Sequence, residues 1–328
     1  MLPEQMTVIE MREPGKADVL HTGRRPVPTV GAGEVLIHVT AAGVNGPDLV
    51  QRRGHYPPPK GASDLLGLEV SGEVFGVGSD VTAWQVGDRV CALTNGGGYA
   101  EFVAVNAGHV LPIPQGVSEE DAAGLCETFF TVYSNCFLDQ VHPEQGIFLV
   151  HGGAGGIGST AVQLGAALGL RVFTTVEPGE ATTFVRELGA ERAIDFRSED
   201  FVPIVREAGG ANMVLDIIGG DYVARNIKAA SPDARLVQIA FNAGSEVSLN
   251  LMPIMLKRLV YTGSTLRSRP EDFKTRVAQV LATEIWPLFA ENRLRTTTHT
   301  VLPFAQAAQA HALMESGTHM GKILLTPA

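Results

Sequence analysis

The chain has 328 residues and sets 25 Lys and Arg against 35 Asp and Glu, a formal charge of −10. That length suits two domains with sizeable cores, and the acidity argues against nucleic-acid binding, which needs a basic surface. With 45% hydrophobic and 18% charged residues the chain is not intrinsically disordered, and 37 glycines and 19 prolines stay well short of a low-complexity composition.

The start of the chain has neither the basic nor the apolar region of a signal peptide, and no run of eighteen uncharged apolar residues occurs. Neither a leader nor a membrane span is expected, and the chain reads as cytoplasmic. Residues 1–120 read as short strands broken by turns. Residues 35–40 and 70–77 alternate apolar and polar, 98–105 follow a glycine cluster, and Pro57-Pro58-Pro59 and Gly87-Asp88 mark loops. This texture suits an irregular β-barrel.

Residues 118–140 read as one long helix, opened by Ser118 as cap and an acidic first turn. From 147 to about 265, apolar runs alternate with amphipathic segments. Strands are expected at 147–150, 171–176, 193–195, 213–217, 236–240 and 260–264, with helices starting near Gly158, Gly179, Glu199 and Asp221. Such alternation predicts a parallel sheet covered by helices on both faces. The tail holds a long helix from about Glu271, a second over 304–315 and a final apolar strand, 322–326. A nucleotide-domain-like centre between two other segments predicts that the first and last parts form one domain.

The strongest chemical signal is the run from Ile147 to Gly158, with G-x-G-x-x-G at Gly153, Gly155 and Gly158. An apolar strand precedes it and a helical pattern follows, the context in which such a loop lets backbone approach a pyrophosphate at a helix N-terminus. Glu177 ends the second strand, where an acid would hydrogen-bond the adenine ribose and repel a 2′-phosphate. That favours NADH, although Arg192 and Arg197 could reach a 2′-phosphate and Glu177 also reads as an exposed residue before a turn.

Zinc-polarised alcohol oxidation would need Cys or His ligands, and neither 43–48 (GVNGPD) nor 67–69 (GLE) supplies one. Cys91, Cys126 and Cys136, without a CxxC pair, fit reduced, buried thiols. Such a site suits an acceptor that takes hydride readily, a quinone or an alkene conjugated to a carbonyl, with the proton left to water. Asn45 and Tyr56 are the polar candidates there. A turn before Gly46-Pro47 accounts for Asn45 as well, and packing before three prolines for Tyr56. For Asp48 a salt bridge to Arg52 is expected.

Residues 41–49 (AAGVNGPDL), 53–59 (RGHYPPP), 66–72 (LGLEVSG), 86–90, 96–100, the glycine loop, 215–220 and 321–325 together resemble the quinone oxidoreductase family, the zinc-free branch of the medium-chain dehydrogenase/reductase superfamily. Leu266-Arg267-Ser268-Arg269 is similar to the p53-inducible quinone reductase subgroup. The resemblance implies an α/β protein: a GroES-like catalytic barrel from 1–120 and 266–328, with a Rossmann domain, 121–265, inserted. It also implies quinone reduction by NAD(P)H in the cleft between them. It carries cofactor or substrate contact to Asn45, Tyr56, Thr131, the loop Gly153, Ala154, Gly155, Gly156, Ile157 and Gly158, then Phe241, Leu266, Arg267 and Lys322. It further implies a homodimer joined edge to edge at 260–264. Relatives usually carry glycine where this chain has Glu177, and prefer NADPH. Reduction of an enone, alkenal or enoyl thioester, or a catalytically weak sensor role, stays open at this point.

Overall fold

The computed structural model describes residues 2–327. The chain falls into two compact units, Met1–Phe130 with Arg267–Ala328, and Thr131–Leu266. In chain order the first part holds β1 (Gln5–Met11), β2 (Leu20–Pro26), β3 (Glu34–Val44), α1 (Gly46–Arg52), β4 (Glu69–Val77), β5 (Arg89–Leu93), β6 (Phe102–Asn106) and β7 (Val110–Pro112). Two helices follow, α2 (Glu119–Ala122) and α3 (Cys126–Cys136). The middle of the chain holds β8 (Ile147–His151), α4 (Gly156–Ala167), β9 (Arg171–Val176), α5 (Glu180–Glu187), β10 (Ala190–Asp195), α6 (Phe201–Glu207) and β11 (Ala211–Asp216). It continues through α7 (Tyr222–Ala229), β12 (Ala230–Gln238), α8 (Met252–Lys257) and β13 (Val260–Gly263). The last part holds α9 (Glu271–Val280), α10 (Pro287–Ala290), β14 (Thr298–Pro303), α11 (Ala307–Ser316) and β15 (Lys322–Thr326).

In the first unit seven strands follow the order β14-β15-β3-β4-β5-β7, with β6 on β3, and β1 and β2 form a separate ribbon. Strand β3 is the axis of this sheet. Its start has a solvent face, with His38 exposed between Ile37 and Val39, as the alternation predicts. From Ala41 to Val44 every side chain is buried, because β15 covers one edge and Ala123 and Leu324 pack on Ala41. The strand thus runs into the core and delivers Asn45 there, at the cap of α1.

The second unit is a six-stranded parallel sheet in the order β10-β9-β8-β11-β12-β13. Strand β8, IFLVH, is buried throughout, as a central parallel strand requires. Together the two architectures are a GroES-like sheet domain and a Rossmann sheet.

Two expectations from the sequence need correction, and one strand was missed. The helix expected over 118–140 is two, α2 and α3, with Gly124 between them packed so closely that a Cβ would meet Lys322 Cγ at 3.1 Å. Ser118 does cap α2, its hydroxyl oxygen accepting from the Asp121 amide at 3.0 Å. The helix from Glu271 is regular only to Val280, then passes a π-helical turn at Leu281–Ile285 before Pro287. Strand β14 had no sequence signal, because its burial pattern is mixed rather than alternating. The three cysteines are free and buried.

Candidate active site

In the second unit the order of strands reverses between β8 and β11, which is where a doubly wound sheet opens a crevice for a ligand beyond the strand C-termini. The glycine loop leaves β8 at that point. Gly153 and Gly158 are buried, while residues 154–157 are half-buried. A Cβ on Gly158 would overlap the Gly152 carbonyl, and one on Gly153 would overlap the Thr174 hydroxyl. Gly155 differs: its nearest neighbour would lie 3.8 Å away, so the space beside it is open. Gly155 is also the cap of α4 and supplies no capping side chain, so the first-turn N–H groups are left for a ligand. These residues fit the pyrophosphate of a dinucleotide.

Behind the loop, His151 is fully buried between Thr175 Oγ1 at 3.1 Å and Asn226 Oδ1 at 2.7 Å. Burial lowers its pKa, so it serves as a neutral brace. Asn226 donates to Asp216 at 2.8 Å, and Asp216 accepts the Ile218 and Gly219 amides, shaping the turn after β11. The sequence reading missed this brace, which only the adjacency of β8, β9 and β11 creates. Glu177 follows β9 and ion-pairs with Arg197; both are well exposed. Phe241 follows β12, half exposed, close enough to Gly219 that a Cβ there would meet Phe241 Cδ1 at 2.8 Å. Thr131, on α3, and Leu266 are buried.

In the first unit Asn45, Glu69 and Lys322 meet in the core at 5%, 0% and 4% exposure, too buried for any charge to stand alone. Lys322 donates to Glu69 Oε1 and to Asn45 Oδ1 at 2.6 Å each, and to the Val44 carbonyl at 3.2 Å. Its three N–H groups are thereby used. Asn45 Nδ2 donates to Glu69 Oε1 at 2.9 Å and to the Gly43 carbonyl at 3.3 Å, so both of its donors are engaged as well. Asn45 and Lys322 therefore hold each other and Glu69, rather than presenting free donors to an acceptor or cofactor. The pair of Asp48 with Arg52 that the spacing predicts does not form. Asp48 accepts the Asn45 and Gly67 amides at 2.9 Å each, while Arg52 turns to Glu315, because α1 directs the two side chains into different surroundings. Burial pushes Asp48 up to about 6.

Tyr56 is only partly buried, with the Arg267 guanidinium 5.6 Å from its ring centre. Arg267 is 6% exposed and braces the loop at Asn95, donating to its carbonyl from Nε at 2.9 Å, and to Gln51 Oε1 at 2.6 Å. Lys274, which sequence reasoning missed, is 1% exposed and ties Asn95 Oδ1 at 2.7 Å to the Arg267 carbonyl at 3.0 Å. Glu127 was also missed: it lies at the head of α3, 9% exposed. Among the described residues no group of three or more His, Cys, Asp or Glu is arranged to hold a metal ion.

Two family models match: one described as an alcohol dehydrogenase GroES-like domain, over residues 31–115, and one as a zinc-binding dehydrogenase, over 188–325. A quinone oxidoreductase of Pseudomonas aeruginosa is 31% identical over 304 residues, 90% of this chain and 92% of that protein. The chain belongs to the zinc-free quinone oxidoreductase family of the medium-chain dehydrogenase/reductase superfamily. Among solved structures of such reductases, Escherichia coli quinone oxidoreductase complexed with NADPH superposes with a TM-score of 0.83 at 26% identity, covering 98% of this chain and 100% of that one. The CurK enoyl reductase superposes at 0.85 with 25% identity, covering 99% of each. The chain spans about 15% of the length of the Mycobacterium tuberculosis polyketide synthase that it also matches, at 27% identity. No helix among the described residues is long and apolar enough to cross a membrane.

Proposed function

We propose that the chain is an NAD(P)H:quinone reductase. The near full-length likeness to the P. aeruginosa quinone oxidoreductase carries this reading. The first unit is consistent with it, since the Asn45–Glu69–Lys322 cluster is closed on itself and Tyr56 is the less buried polar group. When bound, the reduced nicotinamide supplies a hydride. The chain's part is to seat the pyrophosphate on residues 153–158 and to hold the first-unit loops rigid through Arg267 and Lys274. Likeness to the CurK enoyl reductase supports a second reading, reduction of an enoyl thioester. Loss of reduced-nicotinamide absorbance with a quinone, an enone and an enoyl thioester, using NADH and NADPH in parallel, separates the two. Turnover is expected with the quinone; tight cofactor binding without any turnover would leave a sensor role instead.

For the cofactor we favour NADH, because the Glu177 carboxylate repels a 2′-phosphate. Glu177→Gly is expected to shift selectivity toward NADPH by releasing Arg197 to meet that phosphate. An exposed ion pair contributes at most about 1 kcal/mol, so the variant should fold normally. Unchanged selectivity would remove Glu177 from the argument.

The partner we favour is a second copy of this chain. Strand β13 is the open edge of its sheet, and Val260, Tyr261, Met255 and Leu256 are exposed apolar residues beside it. Edge pairing would satisfy the free N–H and C=O groups and cover that surface. Val260→Lys is expected to give a monomer in sedimentation equilibrium; a persistent dimer would place the interface elsewhere.

A further inference from the structure

The first unit holds a cavity of about 720 Å³ whose lining residues all belong to that unit. Neither Asn45, Tyr56 nor the glycine loop lines it. Its charge runs against that of the chain: five Lys or Arg side chains meet three carboxylates, in a protein of formal charge −10. The carboxylates are all engaged. Asp64 accepts from Arg25 at 3.1 Å, Glu34 from the Gly31 amide at 2.9 Å, and Glu271 from Asn106 Nδ2 at 2.9 Å. Four cations are left, Lys60, Arg267, Arg269 and Lys274, and none has a carboxylate partner among the described residues.

Two of these four are buried, Lys274 at 1% exposure and Arg267 at 6%. Lys274 Nζ gives two of its three N–H groups to Asn95 Oδ1 and the Arg267 carbonyl, which leaves one without an acceptor among the described residues. Arg267 donates to the Asn95 carbonyl and to Gln51 Oε1. Such neutral oxygens satisfy hydrogen bonds but bring no counter-charge, and a buried cation without one is costly. An anion in the cavity supplies what is missing. The wall that would receive it is already built: Gly96, at φ +124°, packs so closely that a Cβ would meet Arg267 Nη2 at 2.8 Å. The other two cations are exposed, and neither makes a hydrogen bond or ion pair with a described residue. Arg269 lies over the Phe273 ring, 3.9 Å from its centre.

We propose that this cavity binds a small organic molecule carrying two phosphate groups. A phosphate brings up to about two negative charges at neutral pH, so a pair of them matches the four cations, whereas a carboxylate brings one. Lys274 and Arg267 hold the inner phosphate, and Lys60 and Arg269 the outer one. Guanidinium groups offer paired N–H donors to phosphate oxygens, and the lysines act as point charges. The volume leaves room for an organic body, since ligand pockets commonly span about 300–1,000 Å³. The site does not depend on which acceptor the reductase uses.

Titration calorimetry with inorganic pyrophosphate and with fructose bisphosphate tests this, on wild type and on Gly155→Val, in which the glycine loop is obstructed. Both probes should bind at a single site in both proteins, more weakly as salt rises, and should raise the thermal midpoint. Inorganic phosphate should bind about tenfold more weakly than pyrophosphate, having half the charge to offer. Lys60→Ala and Arg269→Ala change exposed side chains and should fold normally, each weakening both probes by about tenfold. Lys274→Gln should abolish binding; should it fail to fold, the two exposed variants decide the matter. Absence of binding to wild type overturns the proposal. So does binding that is lost in Gly155→Val or unchanged in Lys60→Ala and Arg269→Ala, because the ligand then sits elsewhere. Citrate binding as tightly as pyrophosphate overturns the phosphate assignment, and pyrophosphate binding without fructose bisphosphate overturns the organic ligand.

Discussion

Lys322→Met is expected to destabilise the first unit by about 3–5 kcal/mol, because it leaves Glu69 buried and charged without its partner. The lost attraction is only part of the cost. Glu69 Oε1 would keep a single donor, Asn45 Nδ2, and Asn45 Oδ1 would lose the ammonium it accepts from. The Val44 carbonyl, at the end of the strand that positions α1, would lose its donor too. Chemical denaturation of the single variant and of Lys322→Met with Glu69→Gln checks this. The double variant should recover part of the loss, since a neutral amide tolerates burial better than an unpaired carboxylate. Equal losses in both would mean that packing, not charge, holds the cluster.

The glycine loop should divide into two behaviours. Gly158→Ala is expected to lower both stability and nucleotide affinity, because its methyl group overlaps the Gly152 carbonyl and forces α4 away from β8. Gly155→Val should leave the thermal midpoint nearly unchanged, since nothing lies within 3.8 Å of the new Cβ. It should still weaken NADH binding by about tenfold or more, roughly 1.4 kcal/mol, by placing a side chain where the pyrophosphate must approach the α4 N-terminus. Calorimetric titration with NADH beside thermal denaturation separates the two. If Gly155→Val binds as wild type does, the loop does not carry the phosphates.

Asn45, Glu127 and Arg267 illustrate what a sequence can and cannot convey. Asn45 was visible as a polar residue after an apolar strand, but its amide is taken up by Glu69 and Lys322, residues 24 and 277 positions away. Glu127 was invisible because a glutamate in the first turn of a helix is ordinary, favoured there by the helix dipole. Its character comes from burial and from Glu69, Asp48, Lys322 and Lys274, which the fold collects from four other elements. Arg267 stood out through a family likeness, yet its guanidinium holds Asn95 and Gln51 in place.

What the sequence determined by itself was local: the buried run of β8, the glycines that follow it, the strand–helix alternation of the second unit and the acidic balance opposed to nucleic acid. Each depends on neighbours within a few turns or one strand, so periodicity and residue type suffice. The break at Gly124, strand β14 and the ionisation of Asp48 and Glu127 were decided only by tertiary structure. A charge buried in a core takes its proton affinity from whatever surrounds it, and those surroundings are distant in the chain. The three cysteines mark the boundary between the two kinds of information: their number and spacing already read as reduced, buried thiols, while the strand and helix that bury each one came only from the fold.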